Sequence, residues 1–309
     1  MMKITDYLSA ELLIPKHLLL KYIKTAPYRY KEYTIPKRSG KGVRVIAQPA
    51  SVLKTMQRMV RDKFLLELPV HDCAMAYREG LGIKDNAQAH LGNEYLLKMD
   101  FSDFFPSIVP ADLEAHMEKW LPSLSRSEYY YLGKIFFWSR KYSNFIRLSI
   151  GAPSSPFISN TLMYEFDCIL AEHCKATGII YTRYADDLTF TTDVKGALFD
   201  LPAMVEDICR KVAYPRLSVN KEKTVFSSKK NNRHVTGLVL ANDGSVSLGR
   251  QRKRYIRSLV HRFTLNQLEY DEVLMLRGLV SFARHIEPEF YASMERKYGV
   301  ENFVRLDKA

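Results

Sequence analysis

Cysteine is scarce, with four thiols in 309 residues, none in a CxxC pair and none at zinc-like spacing, which argues against both a disulfide framework and a structural zinc site. Cys73, Cys168, Cys174 and Cys209 therefore read as ordinary thiols of a reducing compartment, and the expected location is the cytoplasm. No apolar run approaches the roughly 20 residues that a membrane span needs, so no membrane partner is expected. The first ten residues carry Asp6 and lack a signal-peptide core, which speaks against secretion. Acidic residues are also in deficit: 34 against 46 Lys plus Arg, a formal charge of +12. That excess favours a polyanionic partner, and nucleic acid is the commonest one.

What the chain does contain is organised around residues 179–191, two aromatic and β-branched runs broken by the tight turn Ala185-Asp186-Asp187. Two adjacent carboxylates at a hairpin tip repel each other, so such a pair stands in solvent or holds a divalent cation. A third carboxylate is available upstream, where the apolar run Leu96-Leu97-Lys98-Met99 ends in Asp100. Carboxylates converging from a strand end and a hairpin tip suit two ions roughly 3.5–4 Å apart, as in-line phosphoryl displacement requires. An all-oxygen ligand set favours Mg²⁺, with Mn²⁺ as a substitute.

The remaining segments predict a mixed α+β chain. Residues 28–48 read as a hairpin whose turn carries Lys37, Arg38 and Lys41 between flexible glycines, cations able to close over a triphosphate. Residues 51–68 have the period of a single amphipathic helix, as do 157–174 and 199–212. Asn86 and His90, four apart, share one helix face. From Gly249 the composition turns strongly basic, and a helix with Ile256, Leu259, Val260 and Phe263 on its buried stripe would present Arg250, Arg254 and Arg257 to a polyanion.

With Tyr184-Ala185-Asp186-Asp187 and the Asp100-Phe101, Phe104-Phe105 stretch in place, the chain resembles the reverse transcriptases. Asn86-Ala87-Gln88-Ala89-His90 and Val235-Thr236-Gly237 are similar to two segments that distinguish the bacterial retron type. The resemblance implies a right-hand polymerase fold: fingers over 1–96, a palm over 97–243 with finger-side helices at about 111–147, and a helical thumb over 244–309. It further implies that Asp100, Asp186 and Asp187, with the Phe101 carbonyl, bind two Mg²⁺. Arg44, Lys37, Lys41, Phe105, Gly151 and Lys223 would contact the incoming nucleotide, Phe105 excluding a ribose 2′-hydroxyl. Asn86, His90, Val235, Thr236 and Gly237 would recognise RNA, joined by Arg250, Arg254 and Arg257. One departure stands out: Ser149-Ile150 precedes Gly151 where the family has Pro-Gln, so the glutamine contact to the nucleotide sugar is replaced by an aliphatic side chain.

By the same resemblance the partners are dNTPs, a cognate non-coding RNA serving as template and primer, the RNA–DNA product and an effector protein. Synthesis would start from an RNA 2′-hydroxyl and give a branched molecule used in phage defence. Template removal is expected to come from elsewhere, since no RNase H segment is evident. Two rivals remain at this level, a conventionally primed enzyme of the group II intron type and a non-catalytic RNA-binding scaffold for an effector.

Overall fold

A computed structural model describes residues 2–37, 40, 42–140, 143 and 145–309. Two helices, α1 (Ile4–Glu11) and α2 (Lys16–Thr25), are separated by Pro15, which cannot continue the first. A hairpin follows, β1 (Tyr30–Pro36) and β2 (Val43–Pro49), antiparallel and in register from Tyr30 opposite Pro49 to Pro36 opposite Val43. Next come α3 (Ser51–Val60), α4 (Ile83–Gln88), β3 (Tyr95–Asp100) and the single turn α5 (Phe104–Ser107). The pair α6 (Pro110–Trp120) and α7 (Arg126–Phe136) start where capping dictates. Pro110 occupies the first position of α6, and at α7 the Ser125 N–H donates to the Glu128 carboxylate at 3.0 Å, closing a capping box.

Then follow α8 (Ser155–Leu162), α9 (Tyr164–Ala176), β4 (Ile180–Tyr184), β5 (Asp187–Thr192) and α10 (Leu201–Lys211). Four short strands, β6 (Val225–Ser228), β7 (Arg233–Val235), β8 (Leu238–Leu240) and β9 (Val246–Ser247), lead into α11 (Arg250–Thr264), α12 (Tyr270–Ile286), α13 (Pro288–Tyr298) and α14 (Val300–Lys308). Strands β4, β5, β3 and β6 form one sheet in that order, and β7, β8 and β9 another.

Two expectations are corrected. The helix read over 51–68 is α-helical only to Val60, widening into a π turn over Arg61–Leu65. The helix read over 157–174 is two helices that meet at Met163. Ser159, Asn160 and Thr161 before the break are weak helix formers whose side chains bond elsewhere, Ser159 to the Pro156 carbonyl, Asn160 to the Ala76 carbonyl and Thr161 to His116.

The chain divides into two compact units. The first comprises Met1–Tyr77, Lys98–Leu188 and Phe199–Val225; the second comprises Arg78–Leu97, Thr189–Leu198 and Phe226–Ala309. In the first, Leu8, Leu19, Leu53, Met56, Leu132 and Phe136 share one core, each fully buried. Such a side chain contributes about 1.5–3 kcal/mol by leaving water. In the second unit Ile256, Leu259, Val260 and Phe263 of α11 pack with Leu276, Val280 and Phe290, the stripe that their spacing predicts. Among the described residues no helix is long and apolar enough to cross a membrane, and all four cysteines are free thiols.

Candidate active site

Asp100 ends β3, and Asp186 with Asp187 form the turn from β4 to β5, the next-but-one strand and its neighbour in the same sheet. The backbone joins them directly: the Phe101 N–H donates to the Asp186 carbonyl at 3.1 Å. Ala185 takes the left-handed conformation, φ 58°, which costs a residue with a Cβ about 1 kcal/mol or more and persists only where its surroundings enforce it. Phe101 is buried between Phe104, stacked at 5.9 Å, and Phe166, edge-on at 5.6 Å, so the segment after Asp100 is fixed by its rings.

The three carboxylates repel one another. Burial, then the charge of Asp100, raises the Asp186 carboxyl above its ordinary value, while Lys223 and Arg44 pull the other way. Burial, then the charges of Asp186 and Asp100, pushes Asp187 up to about 7. Such a cluster is an unsatisfied demand for positive charge. In this structure the demand is met by Lys223, whose ammonium donates to both oxygens of Asp100, at 2.9 and 2.8 Å. Among the described residues no three acidic, His or Cys side chains stand in closed metal-ligating geometry. The donor set nevertheless fits hard divalent cations: three carboxylates, oxygen donors only, with a cation already drawn to one of them.

Beside the cluster lies a cleft of about 280 Å³ lined by Lys54, Arg58, Tyr77, Phe105, Ile150, Gly151 and neighbouring residues of 149–156. Phe105 is half-buried, its ring edge-on to Phe104 at 5.3 Å. Gly151 has φ 119°, and a Cβ there would meet the Ala47 carbonyl and the Ile46 side chain at 3.0 Å. Only glycine fits this close approach. The buried hydroxyls of Ser149 and Ser155 in the cleft wall have no hydrogen-bond partner among the described residues. They offer polar capacity where Ile150 removes it.

Part of this wall comes from residues outside the predicted set of nucleotide contacts. Tyr77, left-handed at φ 60° and half exposed, lines the cleft, and the charges of both Asp186 and Arg44 act on its hydroxyl. Lys54 and Arg58, four apart on α3, contribute cations. Their spacing was the available signal; their proximity to Phe105 was not legible.

The other predicted contacts divide. Arg44 on β2 is exposed, and its charge reaches Asp186. Lys37 is exposed at the end of β1, and Lys41 lies outside the described residues. Arg250, Arg254 and Arg257 are exposed on α11, with Arg254 and Arg257 lining a cleft in the second unit together with His261 and Lys297. Gly237 is exposed, whereas Val235 is buried and the Thr236 hydroxyl donates to the Ile83 carbonyl at 3.0 Å.

Asn86 and His90 are corrected as direct RNA contacts, because both are fully buried. His90 Nδ1 pairs with the Thr191 hydroxyl at 2.8 Å, and Asn93 donates to the same oxygen at 2.9 Å. These residues set the shape of the β5 end and of the loop before β3.

Burial lowers His90 to about 3, and His116, paired with Thr161 and Tyr214, to about 4, both from an ordinary 6.5. Each imidazole is neutral when folded and takes up its proton on unfolding. The stability they contribute is present above pH 6.5 and is lost as pH falls toward 4. Between pH 6.5 and 5 each should cost about 1.6 kcal/mol. Urea unfolding at the two pH values checks this, with His90→Gln and His116→Gln each losing less than the parent.

Residues 35–240 match the family described as reverse transcriptase (RNA-dependent DNA polymerase). Over 281 residues, 90% of each chain, the sequence is 41% identical to the Retron Ec83 reverse transcriptase of Escherichia coli. The chain belongs to the retron reverse transcriptase family. Two more Escherichia coli relatives, the Retron Ec73 and Retron Ec86 reverse transcriptases, are each 30% identical, over 97% and 90% of this chain and 96% and 85% of theirs. As a family member the chain is an RNA-directed DNA polymerase of right-hand fold, an enzyme class that binds nucleic acid templates and uses divalent metal ions.

Proposed function

We propose that this retron reverse transcriptase copies part of its own structured non-coding RNA into DNA, starting from an RNA 2′-hydroxyl, and so yields a branched RNA–DNA molecule that serves phage defence with an effector protein. The observation that carries the catalytic part is the convergence of Asp100, Asp186 and Asp187, with a cation already seated on Asp100, beside a cleft of nucleotide size. The retron part rests on relatives matched over nearly the whole chain. We assign the fingers to 1–96, the palm to 97–243 and the thumb to 244–309, and place the enzyme in the cytoplasm, in keeping with its four free thiols.

In this reading the three aspartates and the Phe101 carbonyl would hold two Mg²⁺ ions, which would acidify the attacking hydroxyl and neutralise charge on the departing pyrophosphate. Lys223, which is paired with Asp100 and has a half-exposed side chain, would leave that carboxylate to screen the pyrophosphate. Arg44, with Lys37 and Lys41 of the same hairpin, steadies the triphosphate. Phe105 closes the cleft against a 2′-hydroxyl, and Gly151 lets the sugar approach the backbone. Val235, Thr236 and Gly237 shape an RNA-facing hairpin, with the guanidinium groups of Arg250, Arg254 and Arg257 along the duplex backbone.

The test is to express the protein with its flanking non-coding DNA, extract nucleic acid, and run it on a denaturing gel before and after RNase and a 2′,5′ debranching enzyme. A short single-stranded DNA whose mobility shifts on debranching is expected. If none appears while purified enzyme extends a DNA primer on RNA, priming is conventional and the branched product is refuted.

A further inference from the structure

Beneath the Asp186-Asp187 turn lies an ion pair that no step above uses. Arg183 and Asp167 are both fully buried. The guanidinium spends every arm: Nε donates to Asp167 Oδ1 at 2.9 Å, Nη2 to Asp167 Oδ2 at 2.6 Å, and Nη1 to Asn160 Oδ1 at 3.2 Å and the Ala185 carbonyl at 3.1 Å. The Tyr181 hydroxyl donates to Asp167 Oδ1 at 2.9 Å, and the Cys73 thiol bonds the same carboxylate. Asn160 in turn donates to the Ala76 carbonyl at 2.8 Å, one residue before Tyr77 in the cleft wall. The backbone adds two bonds, Arg183 N–H to the Cys73 carbonyl and Met75 N–H to the Arg183 carbonyl, each 2.8 Å.

Two left-handed residues are thus gripped from one guanidinium. Ala185, φ 58°, precedes Asp186 and is held directly; Tyr77, φ 60°, is held through Asn160. Backbone in that region relaxes unless its surroundings over-determine it. A planar fork with fixed donor angles can serve two carboxylate oxygens, an amide and a carbonyl at once, and a lysine ammonium cannot.

We propose that Arg183, oriented by Asp167, is a positioning residue that sets the Asp186 carboxylate in register with the nucleotide cleft at Tyr77. The pair acts on the geometry of catalysis rather than on the stability of the fold, because buried ion pairs can often be replaced by apolar side chains without loss of stability. The inference rests on Asp186 and Asp187 being the catalytic carboxylates.

The experiment compares purified parent, Arg183→Lys and the double variant Arg183→Leu/Asp167→Leu, which removes both charges together. Primer extension on an oligo(dT)-primed poly(rA) template is measured against dTTP and against MgCl₂, alongside thermal unfolding. The positioning role predicts a kcat lower by roughly 10- to 100-fold in both variants, since misplacement of about 1 Å can cost that much. Half-saturating MgCl₂ should rise several-fold, with KM for dTTP within about threefold and each variant still unfolding in one cooperative transition. A purely structural pair predicts the reverse: a folded double variant, or folded Arg183→Lys, with kcat and MgCl₂ response within twofold of the parent, and this overturns the proposal. Asp186→Asn is run beside them. If it polymerises normally, the catalytic assignment fails, whatever Arg183 does.

Discussion

Asn in place of Asp186 or Asp187 should lower kcat for primer extension by on the order of 10³-fold or more, about 4 kcal/mol of transition-state stabilisation. The amide keeps the shape of the turn and its backbone bond to Phe101, but it removes the charge that would bind a hard cation. Binding of the cognate RNA, measured by gel shift, should change by less than about threefold, because one neutral residue among so many cations alters the long-range field little. The metal-free Asp187→Asn protein should also melt at a higher temperature than the parent. Asp187 is raised by burial and by its two carboxylate neighbours. A carboxylate with a raised folded value destabilises the fold as pH climbs from its unfolded value through the folded one, so at neutral pH its removal is a gain. Unchanged melting in EDTA would mean that the three charges are not pressed together, and full retention of activity would remove the carboxylates from the chemistry.

A second large effect is expected at Phe105. Its ring stands half-buried in the cleft, braced edge-on by Phe104, which is itself packed against Phe101. Phe105→Ala opens space at the position assigned to the sugar while leaving the carboxylates and Gly151 untouched. Discrimination by a hydrophobic wall runs to about 10²-fold per small group, so the ratio of dNTP to rNTP kcat/KM should fall by about that factor. Single-nucleotide incorporation with dTTP and UTP measures it. A ratio that stays within twofold of the parent would show that the sugar is selected elsewhere, with the Ser149 and Ser155 hydroxyls the next place to look.

The carboxylate cluster could be read from the chain because each member sits at a break in a strong local pattern: Asp100 where an apolar strand stops, Asp186 and Asp187 where two β-branched runs are interrupted. The amphipathic face of α11 was legible for the same reason, since helical period alone decides which side of it is buried. The cleft was not, because Lys54, Arg58, Tyr77 and Phe105 reach it from three separated segments and no local period links them. The spacing of Asn86 and His90 gave their shared face but not its direction, which packing against Thr191 decides. Arg183 was not legible either, because its burial depends on Asp167, an acidic residue sixteen positions earlier on another element.

The hairpin of β1 and β2 is solid at one end only. Ile46, Ala47 and Pro49 are buried, while Val43 and Arg44 are exposed, as is β1 from Lys31 onward. At the buried end the Ala47 N–H donates to the Ile150 carbonyl at 2.8 Å, and Gly151 presses against Ala47 and Ile46 with no room to spare. Mechanically this is a cantilever clamped at the cleft floor. Its root cannot slide without moving Ile150 and Gly151. A side chain added at position 151 would therefore press on Ile46 and Ala47 of the strand that also carries Arg44.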